Sequence, residues 1–175
     1  ALIKRIKEEG KDSKADLYIT ADAGRLGATQ AAGLFQKGAS SSGIKKTVPA
    51  NLRTAYWTGI AKRARVIYYN PSKTTPPSDM SYEDLANPKL KGKVVIRQSN
   101  NIYNQSLVAS LIKNNGSKKT VTWANGIVSN FARSAKGNDR AQILAVAAGE
   151  AEYAVANTYY IALMLSGSKG PEQQM

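Results

Sequence analysis

The stretch "GNDRAQILAVAAGEAEYAVANTYYIAL", residues 137–163, decides how the rest of the chain is read. It opens on Asn138 and Asp139, either of which can cap a helix, and that helix closes at Gly149. "AEYAVAN" then reads as a strand and "TYYIALMLS" as a helix. Two phenols, Tyr159 and Tyr160, stand side by side where the strand hands over to the helix. Two readings are open. Tyrosine suits half-buried positions, because its ring is apolar and its tip polar. Alternatively, two hard oxygen donors are aimed at one point.

The same alternation runs outward from this stretch. "ALIKRIKEEG" reads as the last turns of an amphipathic helix ending at Gly10, so the chain starts inside a pattern, as a piece of a longer one would. The tail "GSKGPEQQM" stops without closing any pattern. "ADLYIT" (15–20) reads as a buried strand, followed by a helix over 21–35 with Asp22 as its cap and Leu26 and Leu34 inward. A polar, Gly/Ser-rich loop leads to "ARVIYY" (64–69), the most β-like run. "NPSKTTPPSD", with three prolines in ten residues, marks the lobe boundary, giving a first lobe over 1–66 and a second over 67–175. Beyond it come a capped short helix from Ser81 to Pro88 and a strand over 93–97. Helices over 104–116 and 117–131 follow; the first places Leu107, Leu111 and Ile112 inward, and the second Val121, Ala124, Ile127 and Val128. Strands separated by helices imply parallel pairing and an α/β fold. Ligands bind such sheets in the strand-to-helix loops. Two loops of the second half qualify, "RQSNNIYNQS" and "NTYY", and each contributes tyrosine.

Composition narrows the chemistry. The 175 residues contain neither cysteine nor histidine. Disulfides, thiolate zinc sites, Cys nucleophiles and Ser-His-Asp triads are therefore excluded. Any metal must be held by oxygen, which suits hard cations. No apolar run approaches the roughly 20 residues of a membrane span. The net charge of +13 raises nucleic acid as a partner. Yet Lys/Arg number 13 over residues 1–66 and 12 over 67–175, so the excess is spread out. No arm or phosphate-binding loop gathers it, which fits a basic globular surface without specific nucleic-acid recognition.

Tyr103, Tyr159 and Tyr160, each near a helix start, are thus candidates for one cleft. A free phenol has a pKa near 10. A trivalent cation deprotonates its ligand outright, and a helix N-terminus favours the anion further. Adjacent residues inside a helix diverge by about 100°; at a helix start both rings could still reach one ion. Fe(III) is the natural guest for hard anionic phenolate. The second pair, Tyr68-Tyr69, lies in a strand and reads as packing.

Residues 137–163, with "ADLYITADAGRL", "WTGIAKRARVIYYNPSK", "SYEDLANPKLKGKVVIR" and "SNNIYNQSLVASLI", resemble periplasmic ferric-iron-binding proteins. These are the substrate-binding subunits of iron ABC transporters. The blocks look closest to the tyrosine-rich, cyanobacterial-type members and span residues 15 to about 165. The resemblance implies a periplasmic-binding-protein, transferrin-lobe-like α/β fold of two lobes with a hinge, with N- and C-terminal parts missing. It implies metal ligands at Tyr103, Tyr159 and Tyr160. Many members carry a Glu ligand after the first-lobe strand; Ala21 stands there in this chain, as suits the tyrosine-rich class. Arg63 could hold carbonate or another anion, or be an exposed strand charge, and Arg97 is a weaker candidate of the same kind. The implied function is Fe(III) binding without catalytic turnover, by a monomer in the periplasm that delivers iron to a membrane permease. The alternatives are a same-fold binding protein for another small solute and a basic nucleic-acid-binding domain.

Overall fold

A computed structural model describes residues 2–39 and 41–167. All but the first residue of the "GSKGPEQQM" tail lie outside the described residues. The chain divides into two compact units, Ala1–Lys62 and Arg63–Met175.

The first unit holds helices α1 (Leu2–Glu9), α2 (Ala23–Ala31) and α3 (Ser42–Thr47). Asp22 caps α2 as expected, its carboxylate accepting the Gly24 N–H at 2.8 Å. The helix is shorter than the expected 21–35, ending where Gly33 takes φ +69°. The loop after it contains α3, which Ser41 caps. The tip of Trp57 reaches back to α2, donating to Gln30 Oε1 at 3.0 Å. The strand expected over 15–20 does not form. A strand exists only through ladder bonds to a neighbour, and no ladder partner lies beside this segment among the described residues. Leu17 and Ile19, which would face a core from such a strand, are 77% and 66% exposed.

The second unit is built on a three-stranded sheet of β1 (Arg65–Tyr69), β2 (Val94–Val95) and β3 (Tyr153–Asn157), in the order β1-β3-β2. β2 and β3 are parallel, as expected. β1 instead runs antiparallel to β3, with Arg65 opposite Asn157 and Tyr69 opposite Tyr153. The connections explain the difference. Parallel strands need a crossover element, and α4 (Ile102–Asn115), α5 (Ser117–Ser129) and α6 (Asp139–Ala147) supply it between β2 and β3. Between β1 and β2 there are only Pro-rich coil and two 3₁₀ turns, Glu83–Ala86 and Pro88–Leu90. The first of these stands where a short helix was expected; the Asp84 carboxylate accepts the Ser81 N–H at 2.7 Å there. α7 (Tyr159–Leu165) follows β3 directly.

β3 is buried along its whole length, and its alternation sorts the core. Tyr153 and Val155 pack with Leu85, Val94, Leu107, Leu111, Trp123 and Ile127 on one face. Ala154 and Ala156 turn to the other face, where α6 and α7 bring Ala145, Val146, Ile143 and Met164. On α5 the inward residues are Thr120, Trp123 and Ile127. Val121 and Val128, expected inward, are each 60% exposed, as is Ile112 of α4 at 42%. The Trp123 ring fixes the rotation of α5, because its N–H must find an acceptor when buried; it donates to Tyr82 O at 2.6 Å.

Candidate metal centre

Two segments deliver the tyrosines, the starts of α4 and α7. Asn101 caps α4 by accepting the Tyr103 N–H at 3.0 Å, which places Tyr103 in the first turn of that helix. Tyr159 and Tyr160 begin α7 immediately after β3. The hydroxyls of Tyr103 and Tyr159, 56 residues apart in sequence, come within 3.4 Å of each other. The Tyr160 ring lies against Tyr159, with centroids 4.3 Å apart and planes tilted by 37°. All three side chains are half-buried. Burial, and then the neighbouring Tyr159 hydroxyl, push the Tyr103 phenol above its ordinary value, so without a cation it stays protonated at neutral pH. No cluster of three carboxylates that could hold a metal occurs among the described residues.

Arginines surround these rings. Arg63 Nη1 donates to the Tyr103 hydroxyl at 3.3 Å, and its guanidinium lies 5.4 Å from the Tyr159 ring centroid. Arg140 stands 4.9 Å from the Tyr160 centroid. Arg65 and Arg97 lie 5.9 and 5.7 Å from the Tyr103 centroid. Such cation–π placements favour extra electron density on the ring. Arg97 is committed to Asp139, with Nη1 to Oδ1 at 3.0 Å.

Sequence reasoning missed what holds these groups. Arg65, on the first residue of β1, donates to Asp139 Oδ2, Asn157 Oδ1, Asn104 Oδ1 and the Val155 carbonyl, all within 3.1 Å. Asn104 Nδ2 in turn donates to the Arg97 carbonyl at 2.7 Å. Asn138 is the cap of α6, accepting the Ala141 N–H at 3.1 Å, while Asp139 is completely buried beneath the sheet end. Tyr68 does more than the packing expected of it. Its hydroxyl donates to the Asn157 carbonyl at 3.0 Å, on the turn that presents Tyr159 and Tyr160. The only sequence signal for this network is a charge at the start of an apolar strand and a carboxylate beside a cap.

A family model described as bacterial extracellular solute-binding protein matches residues 12–169. Iron uptake protein A1 of Synechocystis is 49% identical over 175 residues, covering 99% of this chain and 48% of that protein. The Trichodesmium IdiA (FutA) structure in complex with iron and citrate superposes with a TM-score of 0.91 at 53% identity, over 98% of this chain and 54% of that one. The ferric binding protein from Campylobacter jejuni gives 0.89 at 43% identity, over 98% of this chain and 55% of that one. The chain thus spans about half the length of the relatives it matches. The fold is the transferrin-lobe-like fold of periplasmic binding proteins, as the sequence resemblance implied. With this sheet, these tyrosines and a match over most of its length, the chain belongs to the bacterial extracellular solute-binding proteins, a family of binding proteins and not of enzymes.

Proposed function

We propose that this chain supplies the tyrosine half of a site that binds Fe(III) as cargo, with the phenolates of Tyr103, Tyr159 and Tyr160 as ligands. The approach of the Tyr103 and Tyr159 hydroxyls to 3.4 Å carries this reading. Two neutral phenols at that distance share one proton-donor contact. Once ionised, they repel unless a cation lies between them. A hard trivalent ion meets that requirement and suits phenolate oxygen. The likeness to Iron uptake protein A1 and to a structure holding iron and citrate supports the choice of metal. Arg63, exposed and beside two of the rings, is placed to hold carbonate or another anion on the ion's remaining positions. The whole protein would work in the periplasm as a monomer and deliver its iron to the permease of an ABC transporter.

Visible spectroscopy tests the proposal. Phenolate-to-Fe(III) charge transfer colours the intact protein on loading. Tyr159→Phe, Tyr160→Phe and Tyr103→Phe are each expected to shift or abolish that band and to weaken iron binding. A protein that stays colourless after Fe(III) loading would sink the reading.

A further inference from the structure

We propose that Asp139 is a built-in anion: its carboxylate permanently fills a seat between Arg65 and Arg97 and so positions the tyrosine cluster. The inference rests on the tyrosine reading of the metal site. Asp139 is fully buried. Its Oδ2 lies 3.0 Å from Arg65 Nη1 and accepts the Asn157 N–H at 2.9 Å, and its Oδ1 lies 3.0 Å from Arg97 Nη1. Two guanidinium groups and a backbone N–H converging on one point are what a small oxyanion requires. Both guanidinium groups also face the Tyr103 ring. The seat is therefore bordered by the two guanidinium groups that stand over the Tyr103 ring.

The bonds of Asp139 run to Arg65, Arg97 and the Asn157 N–H; it acts on the tyrosines through these and is a positioning residue. Through Arg65 it ties Asn104, one residue after Tyr103, to Asn157, two residues before Tyr159. Removing the carboxylate leaves two buried cations facing each other, a strongly unfavourable arrangement. Either the arginines swing away and release Tyr103 and the turn before Tyr159, or a dissolved anion enters the seat.

That choice supplies the test, made on the intact protein as wild type, Asp139→Ala and Asp139→Asn. In the iron-free protein at constant ionic strength, formate is expected to raise the melting temperature of Asp139→Ala relative to chloride and to leave the wild type unchanged. In the iron-loaded protein, Asp139→Ala is expected to lose about 10–100-fold in iron affinity, the range for groups that orient metal ligands. Its charge-transfer band should shift, and formate should restore both. Asp139→Asn fills the seat without charge, so its affinity should fall without rescue. A folded Asp139→Ala that ignores formate, acetate and phosphate overturns the proposal. So does an Asp139→Asn with wild-type affinity and band, which decides the matter if Asp139→Ala does not fold. If the wild type itself shows no band, the tyrosine–iron reading fails, while the iron-free measurement still reports on the seat.

Discussion

Tyr82 shows how much a single hydroxyl carries in this unit. It donates to the Arg65 carbonyl at 2.6 Å, at the strand end from which Arg65 reaches the buried carboxylate. Burial raises its phenol above the ordinary value. A folded-state pKa above the unfolded one contributes stability that is complete below about pH 10 and lost as pH rises through the folded value. Denaturant unfolding between pH 8 and 11 is therefore expected to show an alkaline decline that is shallower in Tyr82→Phe. At neutral pH the same substitution should cost about 0.5–1.5 kcal/mol, the net worth of one hydrogen bond. At this scale the sequence is partly legible. Tyr103, Tyr159 and Tyr160 stand out because phenols cluster at predicted helix starts. Arg65, Asn104 and Asn157 do not, because Arg65 stands 39 residues from Asn104 and 92 from Asn157 and no spacing rule links them.

At the scale of elements, α5 and the 3₁₀ turn at Glu83–Ala86 define how closely the crossover packs. A Cβ on Gly126 would stand 2.8 Å from Ala86 Cβ and 3.0 Å from the Ala86 carbonyl oxygen. In an exposed helix interior, Gly→Ala gains about 1 kcal/mol from backbone propensity. Overpacking costs about 1–3 kcal/mol, and two rigid backbones meet here, so the clash wins. Gly126→Ala is expected to lower the unfolding free energy, read from the denaturant midpoint at unchanged slope. This contact also explains why only half of the face expected of α5 turns inward, Ala124 and Ile127 packing on the core while Val121 and Val128 do not. Apolar periodicity favours Val121 and Val128, but the side that must carry the glycine and the tryptophan is the one bearing Trp123 and Ile127. β3 and α6 were legible from "ILAVAAGEAEYAVAN", where caps, length and alternation agree. The direction of β1 was not, because it depends on what joins the strands and not on the strand's own residues. The segment 15–20 has the composition of a strand, yet a strand needs a neighbour to pair with.

The whole molecule divides unevenly. The second unit owns every buried apolar side chain among the described residues, whereas in the first unit Thr29 alone is buried. The charge balance is lopsided as well: 25 basic residues stand against 12 acidic ones. Around the tyrosines, four guanidinium groups lie within 6 Å of ring centroids, and Asp139 is already paired with two of them. Such a field acts on arrival before it acts on affinity. On the iron-binding reading proposed above, it would oppose a bare trivalent ion at a distance and draw in iron that travels inside a negatively charged chelate. Surface fields fade over a Debye length of about 10 Å at 0.1 M salt. Stopped-flow loading from ferric citrate should therefore slow as sodium chloride rises, while the charge-transfer band reached at the end stays the same. A loading rate indifferent to salt would mean that the arginines play no part in capture. On this view the arginine ring would choose the form in which iron is delivered, and the phenols would strip the ion from its carrier.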